Sequence, residues 1–252
     1  MSSEPSPSGT RELFPVVDAT WPAAERRRLD PWTLRRGDGG GNRVSAATLD
    51  GEGGGEGGDV AAAEAAMRAW GQVPLFLIRP GDEALDAALA ARGYAARDRV
   101  VMLSAPTAAL APPDPDPLVI IGDAPLAIMA DIWRQGGIGP GRLAVMGRAA
   151  GPRAFLLGRT GDRPAGCGFV AVAGEVAMIH ALEVAPFARR KGVGVAITRT
   201  AARWALGVGA TRLTLAVTRA NLPARALYAR LGTEEVAAYH YRVAPVGASD
   251  SG

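Results

Sequence analysis

The chain has 252 residues, 48% of them hydrophobic and 21% charged, which is typical of a globular protein with a buried core. Its formal net charge of +3 is small for this length, and without a dense Lys/Arg tract carrying interleaved aromatic residues we expect no nucleic-acid binding. No apolar run approaches the ~20 residues of a membrane span, and two His with one Cys leave no cluster at metal-ligand spacing.

The ends of the chain, residues 1–10 and 246–252, are predicted to be disordered. The N-terminal residues lack the basic and apolar regions of a secretory signal peptide, and Cys167 has no partner for an intrachain disulfide. We therefore expect a cytoplasmic protein without a metal or a membrane partner. Cys167 itself is predicted to be a small core residue of a strand rather than a nucleophile.

The first half, residues 11–104, shows weaker structural signals than the second. Its segment 37–58 is rich in glycine and acidic residues, and without nearby positive charge it is interpreted as a flexible loop rather than a phosphate site. The proline-rich residues 105–117 are interpreted as a linker that sustains neither a helix nor a central strand.

The second half, residues 118–245, has the hydrophobic periodicity of a folded α/β domain. The predicted strands are 118–121, 154–159, 166–173, 176–184 and 213–217, with strand structure again at 235–243, and the predicted helices are 125–135, 142–150, 193–206 and 223–231.

The junction between strand 176–184 and helix 193–206 reads RRKGVGVA and predicts a phosphate site. The free N–H groups of a helix's first turn attract anions, and Gly192 and Gly194 let the backbone approach a ligand closely. The preceding cations add long-range attraction for a polyphosphate. A P-loop is excluded because Lys191 precedes the glycines with no adjacent hydroxyl, and a dinucleotide fingerprint is excluded because the third glycine is missing.

Two motifs resemble those of the GNAT family of acetyl-CoA-dependent N-acetyltransferases. Arg189, Gly192 and Gly194 match the family's Arg/Gln-x-x-Gly-x-Gly/Ala pyrophosphate loop. Residues 221–232, NLPARALYARLG, are similar to its second signature, Asn-x-x-Ala-x-x-Leu-Tyr-x-x-x-Gly. The resemblance implies the GNAT acyl-CoA N-acyltransferase fold, a mixed α/β sheet, and direct transfer of acetyl from acetyl-CoA to a primary amine.

The resemblance also assigns roles to residues of this chain. Tyr228 is expected to stabilise the departing thiolate, although a packed helix tyrosine is the alternative. The backbone near Leu182 and Val184 is expected to pair with pantetheine, and the amide near Leu182–Glu183 to bind the thioester oxygen. The implied cofactor-binding residues are Leu182, Val184, Arg189, Arg190, Lys191, Gly192, Val193, Gly194, Val195 and Asn221. Asn221 can alternatively cap its helix.

The strand before the phosphate loop offers two candidate bases. Alternation places His180 and Leu182 on one face and Glu183 on the other, until a bulge changes the count. The run His-Ala-Leu-x-Val resembles arylalkylamine N-acetyltransferases, whose histidine at the His180 position relays the amine proton; their second histidine is Met178 here. A hydrogen-bonded core histidine and a merely structural Glu183 remain the alternatives.

The first half repeats part of the second at an offset of 139 residues. At that offset Leu89 replaces Tyr228, and Asp50-Gly51-Glu52 replaces the basic tripeptide, so carboxylates would repel a pyrophosphate. Residues 11–104 are therefore interpreted as a degenerate GNAT-like half that cannot bind the cofactor. Catalysis is expected only in the second half.

Selectivity for the amine is expected from the loop 133–142, from a hairpin at 234–242 and from the first half. Trp133, Tyr239, His240 and Tyr241 are the candidate residues of these segments. The sequence leaves open the acceptor, the acyl chain and whether the protein is a monomer or a homodimer. A non-catalytic CoA-binding sensor and an inert structural protein are the competing hypotheses.

Overall fold

The computed structural model describes residues 11–50 and 58–245, so the predicted disordered ends lie outside the described residues. The helices are α1 (Leu13–Thr20), α2 (Val60–Ala69), α3 (Glu83–Ala91), α4 (Thr107–Leu110), α5 (Ala127–Gln135), α6 (Pro140–Arg148), α7 (Val193–Gly207) and α8 (Leu222–Arg230). The strands are β1 (Glu25–Leu29), β2 (Trp32–Arg36), β3 (Thr48–Leu49), β4 (Leu75–Ile78), β5 (Ala95–Pro106), β6 (Val119–Gly122), β7 (Arg153–Thr160), β8 (Arg163–Ala173), β9 (Val176–Val184), β10 (Arg212–Thr218) and β11 (Glu234–Val243).

The main sheet has eight strands in the order β4-β11-β5-β10-β9-β8-β7-β6. The β9–β10 pair is parallel and the other pairs are antiparallel, which confirms the predicted mixed α/β fold class. Strands β1, β2 and β3 form a separate three-stranded sheet. Among the described helices, none is both long enough and apolar enough to cross a bilayer.

Helices cover both faces of this sheet. On one face α7 buries Val193, Ile197 and Ala201, which lie four residues apart along one side of the helix. On the other face Trp133 of α5 packs with Phe155 and other aromatic residues in a second core cluster. Each such fully buried large side chain contributes about 1.5–3 kcal/mol. Strands β8 and β9 thus lie between two layers of helices. The candidate site lies where the chain leaves the C-terminal end of β9 and enters α7.

Two strand–helix–strand units, β4-α3-β5 and β10-α8-β11, repeat at the predicted offset. Adding 139 to the bounds of α3 gives the bounds of α8. Strand β5 lies between β10 and β11, and β11 lies between β4 and β5, so each unit's last strand pairs with the other unit. The two halves of the chain therefore share one continuous sheet.

The interpretation of residues 105–110 as linker is wrong. Pro106 is the last residue of β5, opposite Arg212, where its missing N–H interrupts no further ladder bond. Thr107 then begins α4, and its hydroxyl donates to the Ala210 carbonyl at 2.6 Å. The proline-rich composition did not reveal this strand end and helix, because a proline at the end of a strand removes a hydrogen-bond donor only at its own position. Residues 111–117 remain as the connection to β6.

The predicted hairpin at 234–242 is also absent, because β11 is one strand. Its two neighbours are β4 and β5, both from the first half, with Tyr241 opposite Leu77 on one side and opposite Arg97 on the other. No local turn is needed when partner strands come from distant parts of the chain.

The glycine-rich segment 37–58 is ordered over its described part. Residues Asn42–Val44 form a 3-10 turn, and β3 follows. The Gly37 N–H donates to the Gln72 side chain at 2.8 Å, which anchors the segment to the end of α2. The flexible-loop interpretation is therefore wrong for residues 37–50, and residues 51–57 lie outside the described ranges.

Candidate functional site

A β-bulge interrupts β9 at the centre of the site. Glu183 opposes Cys167 and His180 opposes Phe169, so Ala181 and Leu182 together face one residue of β8. Ala181 adopts a φ of 51°, in the left-handed region, and its carbonyl accepts a hydrogen bond from the Trp133 indole at 2.7 Å. The bulge is thus fixed by a tertiary contact and not by a glycine.

The bulge changes which side chains share a face. Directly opposed residues of antiparallel strands point to the same side, and Cys167, opposite Glu183, belongs to the core that surrounds His180. Leu182 instead packs into the cluster beneath α7. The alternation that placed Glu183 on the other face therefore holds only up to the bulge, and both candidate bases lie on one face.

Strands β9 and β10 separate just before the bulge. Their parallel pairing runs from Val176 opposite Arg212 to Ile179 opposite Leu215. Beyond that point β10 continues to Thr218 but pairs only with β5. Residues 180–184 of β9 therefore have no strand partner on the β10 side within the described chain, which is the opening expected for a pantetheine chain.

The predicted phosphate loop lies at the mouth of this opening. Arg190 and Gly192 have positive φ angles of 62° and 84°, and Gly192 is the residue before α7. The first helical hydrogen bond runs from the Ala196 N–H to the Gly192 carbonyl at 2.9 Å, so the amides of the preceding turn have no acceptor within the helix. These free N–H groups form the positive end of the helix dipole, and an anion binds at such an end.

The three cations of the loop are exposed but not equivalent. Arg189 donates to the Val184 carbonyl at 3.1 Å and contacts the Glu183 carboxylate at 3.4 Å. For Arg190 and Lys191, no carboxylate of residues 11–50 or 58–245 lies within 4.0 Å. These two side chains are available to an anion.

The two glycines of the loop have different reasons to be glycine. Gly192 needs its positive φ, and a Cβ there would meet no atom within 4 Å. Gly194 has no such requirement, but a Cβ there would lie 2.8 Å from Leu227 of α8. The close approach at Gly194 is thus between helices, which corrects the expectation that both glycines admit the ligand.

Tyr228 is buried on α8 beside the first turns of α7. Burial raises the pKa of its hydroxyl to about 12, and a hydrogen bond with Thr198 opposes the shift. Thr198 in turn donates to the Gly194 carbonyl at 2.8 Å, so the tyrosine lies next to the phosphate loop. Asn221 caps α8, because its side-chain oxygen accepts from the Ala224 N–H at 3.2 Å.

His180 is buried, and both of its ring nitrogens are hydrogen-bonded. Arg43 donates to Nδ1 at 3.0 Å, and the remaining nitrogen, Nε2, lies 3.0 Å from the Thr20 hydroxyl. Thr20 donates its own proton to the Val16 carbonyl, so Nε2 is the donor to Thr20 and Nδ1 is the acceptor. The ring also stacks on Trp21, with centroids 4.9 Å apart.

Burial, followed by the charge of Arg43, holds the pKa of His180 well below its ordinary value of 6.5. The ring is neutral at pH 7, but its only lone pair already accepts from Arg43. The arrangement is that of a hydrogen-bonded core histidine, the alternative that the sequence left open.

The pH dependence of folding stability tests this environment. As the pH falls, the unfolded chain binds a proton at His180 before the folded protein does, so stability drops by about 1.4 kcal/mol per pH unit below about pH 6.5. The loss ends once the pH passes the folded pKa. We expect His180→Gln to remove this slope in urea unfolding measured between about pH 7.5 and pH 5. Parallel curves for the two proteins would contradict the assignment.

A cavity of about 290 Å³ opens on the His180 side of the bulge. Residues of both halves line it, including Trp21, Arg43 and Asp98 from the first and Arg142, Tyr239 and Tyr241 from the second. Ala181 and Thr218 also line it, so the cavity reaches the point where β9 and β10 separate.

The predicted selectivity residues divide between this cavity and the core. Tyr239 and Tyr241 line the cavity, as expected, whereas Trp133 is fully buried behind it and holds the bulge. His240 lies on the other side of β11, bonded to Asp86 at 2.8 Å. Cys167 is fully buried, which confirms it as a core residue.

Sequence reasoning missed the first-half residues of the cavity. Arg43 follows the glycine-rich turn that was interpreted as flexible, and Trp21 and Asp98 belong to no motif. The available signal was weak: a cationic and an aromatic residue in a half that was expected to contribute to selectivity without any residue being named. In the part of the chain that the structure describes, no three His, Cys, Asp or Glu side chains are grouped as metal ligands.

Comparison with known proteins gives this geometry a family context. Residues 128–233 match the model of the acetyltransferase (GNAT) family. A GCN5-related N-acetyltransferase from Kribbella flavida aligns over 94% of this chain and 95% of its own, with a TM-score of 0.70 and 20% identity. The chain has the GNAT fold. A tandem GNAT protein from the clavulanic acid biosynthesis pathway aligns over 98% of this chain and 92% of its own, with a TM-score of 0.60 and 15% identity.

One curated relative extends the comparison to sequence. An uncharacterized N-acetyltransferase, YobR of Bacillus subtilis, is 38% identical over 55 residues, which is 22% of this chain and 22% of the relative. The chain thus aligns with about a fifth of that relative's length. The family model and the solved structures agree on the fold, and the family match falls on the half that contains the phosphate loop and Tyr228.

Proposed function

We propose that this GNAT protein transfers acetyl from acetyl-CoA directly to a primary amine. The observation that carries the proposal is the coincidence of three features at one place: the free first turn of α7, the separation of β9 from β10, and buried Tyr228 beside both. A diphosphate, a pantetheine chain and a departing sulfur require these three features in that order.

The residues present fit this co-substrate. The amides from Arg190 to Val195 and the unpaired cations Arg190 and Lys191 would hold the diphosphate. The free edge of β9 at Leu182 and Val184 would pair with pantetheine as an added strand does. The thioester supplies an activated acetyl group. The amide near Leu182–Glu183 donates to the carbonyl oxygen, and Tyr228 donates to the sulfur as negative charge develops there.

Glu183 is the better-supported proton acceptor. An alkylammonium has a pKa of about 10, which is about 3 units above pH 7. Removing its proton at pH 7 therefore costs about 4 kcal/mol. Glu183 is partly accessible, with 20% of its side chain exposed, and follows the bulge on the same face as His180. His180 has no free lone pair, so its role is to position Arg43.

We assign the cofactor to the second half alone and treat the first as a degenerate GNAT-like half. In α2 the Asp59 carboxylate accepts the Ala62 N–H and so occupies the helix end where a phosphate would bind. Leu89, at the position in α3 that Tyr228 has in α8, offers no donor. Asp50 bonds Thr33 at 2.7 Å, and the adjacent residues 51 and 52 lie outside the described ranges.

An amine panel tests the proposal against a CoA sensor of the same fold. Thiol release from acetyl-CoA is followed with alkylamines, arylalkylamines, polyamines, amino acids and peptide α-amines. We expect an acetyl-CoA-dependent thermal shift together with amine-dependent thiol release. A thermal shift without release for any amine would favour the sensor, and the absence of both would favour an inert structural protein.

A further inference from the structure

Arg43 places a positive charge in the cavity without a counter-ion. Its guanidinium contacts the neutral ring of His180 at 3.0 Å and approaches the Trp21 ring at 6.0 Å, and Tyr239 and Tyr241 line the same cavity. Over residues 11–50 and 58–245, no carboxylate lies within 4.0 Å of it. The Nε atom of Arg43 is buried and has no hydrogen-bond partner among the described residues.

Arg35, a buried arginine of the same half, shows what a satisfied guanidinium looks like in this fold. Arg35 donates to the two carboxylate oxygens of Asp18 at 2.8 and 2.7 Å, and also bonds the Ala46 carbonyl. Removing a charge from water without such a partner is costly, and it is offset when an anion binds. Arg43 is thus prepared for an anion that the protein itself does not supply.

The rest of the cavity favours an anion of small size. Arg142 adds a second guanidinium to the lining. Asp98 is the one carboxylate among the described lining residues, and it accepts from Asn42 at 2.7 Å. The lining therefore carries two guanidinium groups and one carboxylate. The volume of about 290 Å³ lies at the lower end of small-molecule sites.

The position of Arg43 relates this anion to the reacting amine. Its partner His180 precedes Ala181, the residue whose strained backbone forms the bulge where β9 and β10 separate. Arg43, Ala181 and Thr218 line the same cavity, so an anion bound at Arg43 lies in the cavity that reaches the opening through which a thioester would arrive. A compact molecule with a carboxylate at Arg43 and an amine at its other end would place the amine at this opening.

Resting on the proposed function, we infer that the acceptor is a small amino carboxylate, such as an amino acid, whose carboxylate pairs with Arg43. Its amine nitrogen forms the bond to the acetyl carbon while the carbon–sulfur bond breaks. The ammonium nitrogen loses two protons as the amide forms: one passes through Glu183 to the solvent, and the other goes to the departing sulfur, which leaves as the thiol. Arg43 is a specificity residue, and the bulge orients the amine.

Matched acceptor pairs test this inference. Phenylalanine is compared with its methyl ester and with phenethylamine, and alanine with its methyl ester and with ethylamine. In the wild-type protein we expect kcat/KM to favour each acid by at least about tenfold, the scale of a hydrogen bond between charged groups. In Arg43→Met the preference should vanish, and in Arg43→Lys, which keeps a charge, part of it should return.

Arg199→Met is the matched control, because Arg199 is exposed on α7 and lies outside the cavity lining. It should leave the preference unchanged. Thermal unfolding of each variant shows whether it is folded. Equal kcat/KM values of the wild-type protein for acids, esters and simple amines would overturn the inference, and so would an unchanged preference in Arg43→Met. The proposal of acetyl transfer would be unaffected by either result.

A binding measurement separates this inference from the proposed function. With coenzyme A present, calorimetry should show that N-acetylphenylalanine binds wild type at least about tenfold tighter than N-acetylphenethylamine, and that Arg43→Met abolishes the difference. Such a preference without thiol release for any amine would support the carboxylate site and overturn only the transferase proposal. Equal affinities, or no binding of either compound, would overturn the carboxylate site.

Discussion

Tyr228→Phe is expected to lower kcat by about tenfold to hundredfold, the value of one hydrogen bond to a developing charge. The hydroxyl has a pKa of about 12 in the folded protein, above the about 8.5 of a thiol. Full proton transfer to the sulfur is therefore uphill, and Tyr228 acts as a neutral donor. Because it stays protonated, the loss should be the same from about pH 6 to pH 10.

The measurement is thiol release at saturating acetyl-CoA and acceptor, with the acetyl-CoA affinity determined by calorimetry. Tyr94→Phe is the control, because Tyr94 is equally buried and its hydroxyl donates to Glu64 at 2.6 Å in the first half. It should leave kcat unchanged. A loss of acetyl-CoA affinity in Tyr228→Phe that accounts for the whole effect would show a packing role instead.

Gly192→Asp is expected to weaken acetyl-CoA binding by about a hundredfold. A carboxylate about 5 Å from a phosphate charge costs about 3 kcal/mol at an effective dielectric constant of 20. The variant should still fold, because Asp is among the residues that tolerate a positive φ and a Cβ there meets no neighbouring atom. Calorimetry with acetyl-CoA measures the effect.

Two variants separate charge from backbone strain. Gly192→Asn has the same shape and tolerates a positive φ, so it should lose little affinity. Gly161→Asp introduces the same carboxylate at another open turn glycine, with a φ of 59°, away from the loop. It should bind acetyl-CoA as wild type does. Equal losses for Gly192→Asp and Gly192→Asn would refute an electrostatic role for this turn.

Much of the second half could be predicted because its signals are local. Strand β9 has the predicted bounds, and α7 begins at the predicted Val193, because apolar alternation and the glycine turn are both read from adjacent residues. The offset of 139 residues is local in the same sense, since Leu89 of α3 and Tyr228 of α8 are buried at the same position of their helices.

The position of the bulge could not be predicted, although it decides which face Glu183 occupies. Ala181 has no residue-type preference for its positive φ. It is held there by Trp133, which lies 48 residues earlier in the chain. Such a contact leaves no periodic trace in the sequence, so alternation alone does not give the face of Glu183.

The strands that flank β11 and the residue that bonds His180 are likewise distant from them in the sequence. Alternation indicates that 235–243 is a strand, but not that β4 and β5 flank it. Arg43 is 137 positions from His180, so a pattern search around His180 could not reveal that its lone pair is occupied. Residues that act through distant partners required the structure.

The account depends on the main-chain amides that precede and begin α7. Hydrogen–deuterium exchange with and without coenzyme A reports on these groups directly, because a bound diphosphate accepts their hydrogen bonds. The account predicts slowed exchange from Arg190 to Val195 and no change in Val60–Ala69, the helix at the equivalent place in the first half. Slowed exchange in Val60–Ala69 instead, or unchanged exchange in both segments, would contradict it.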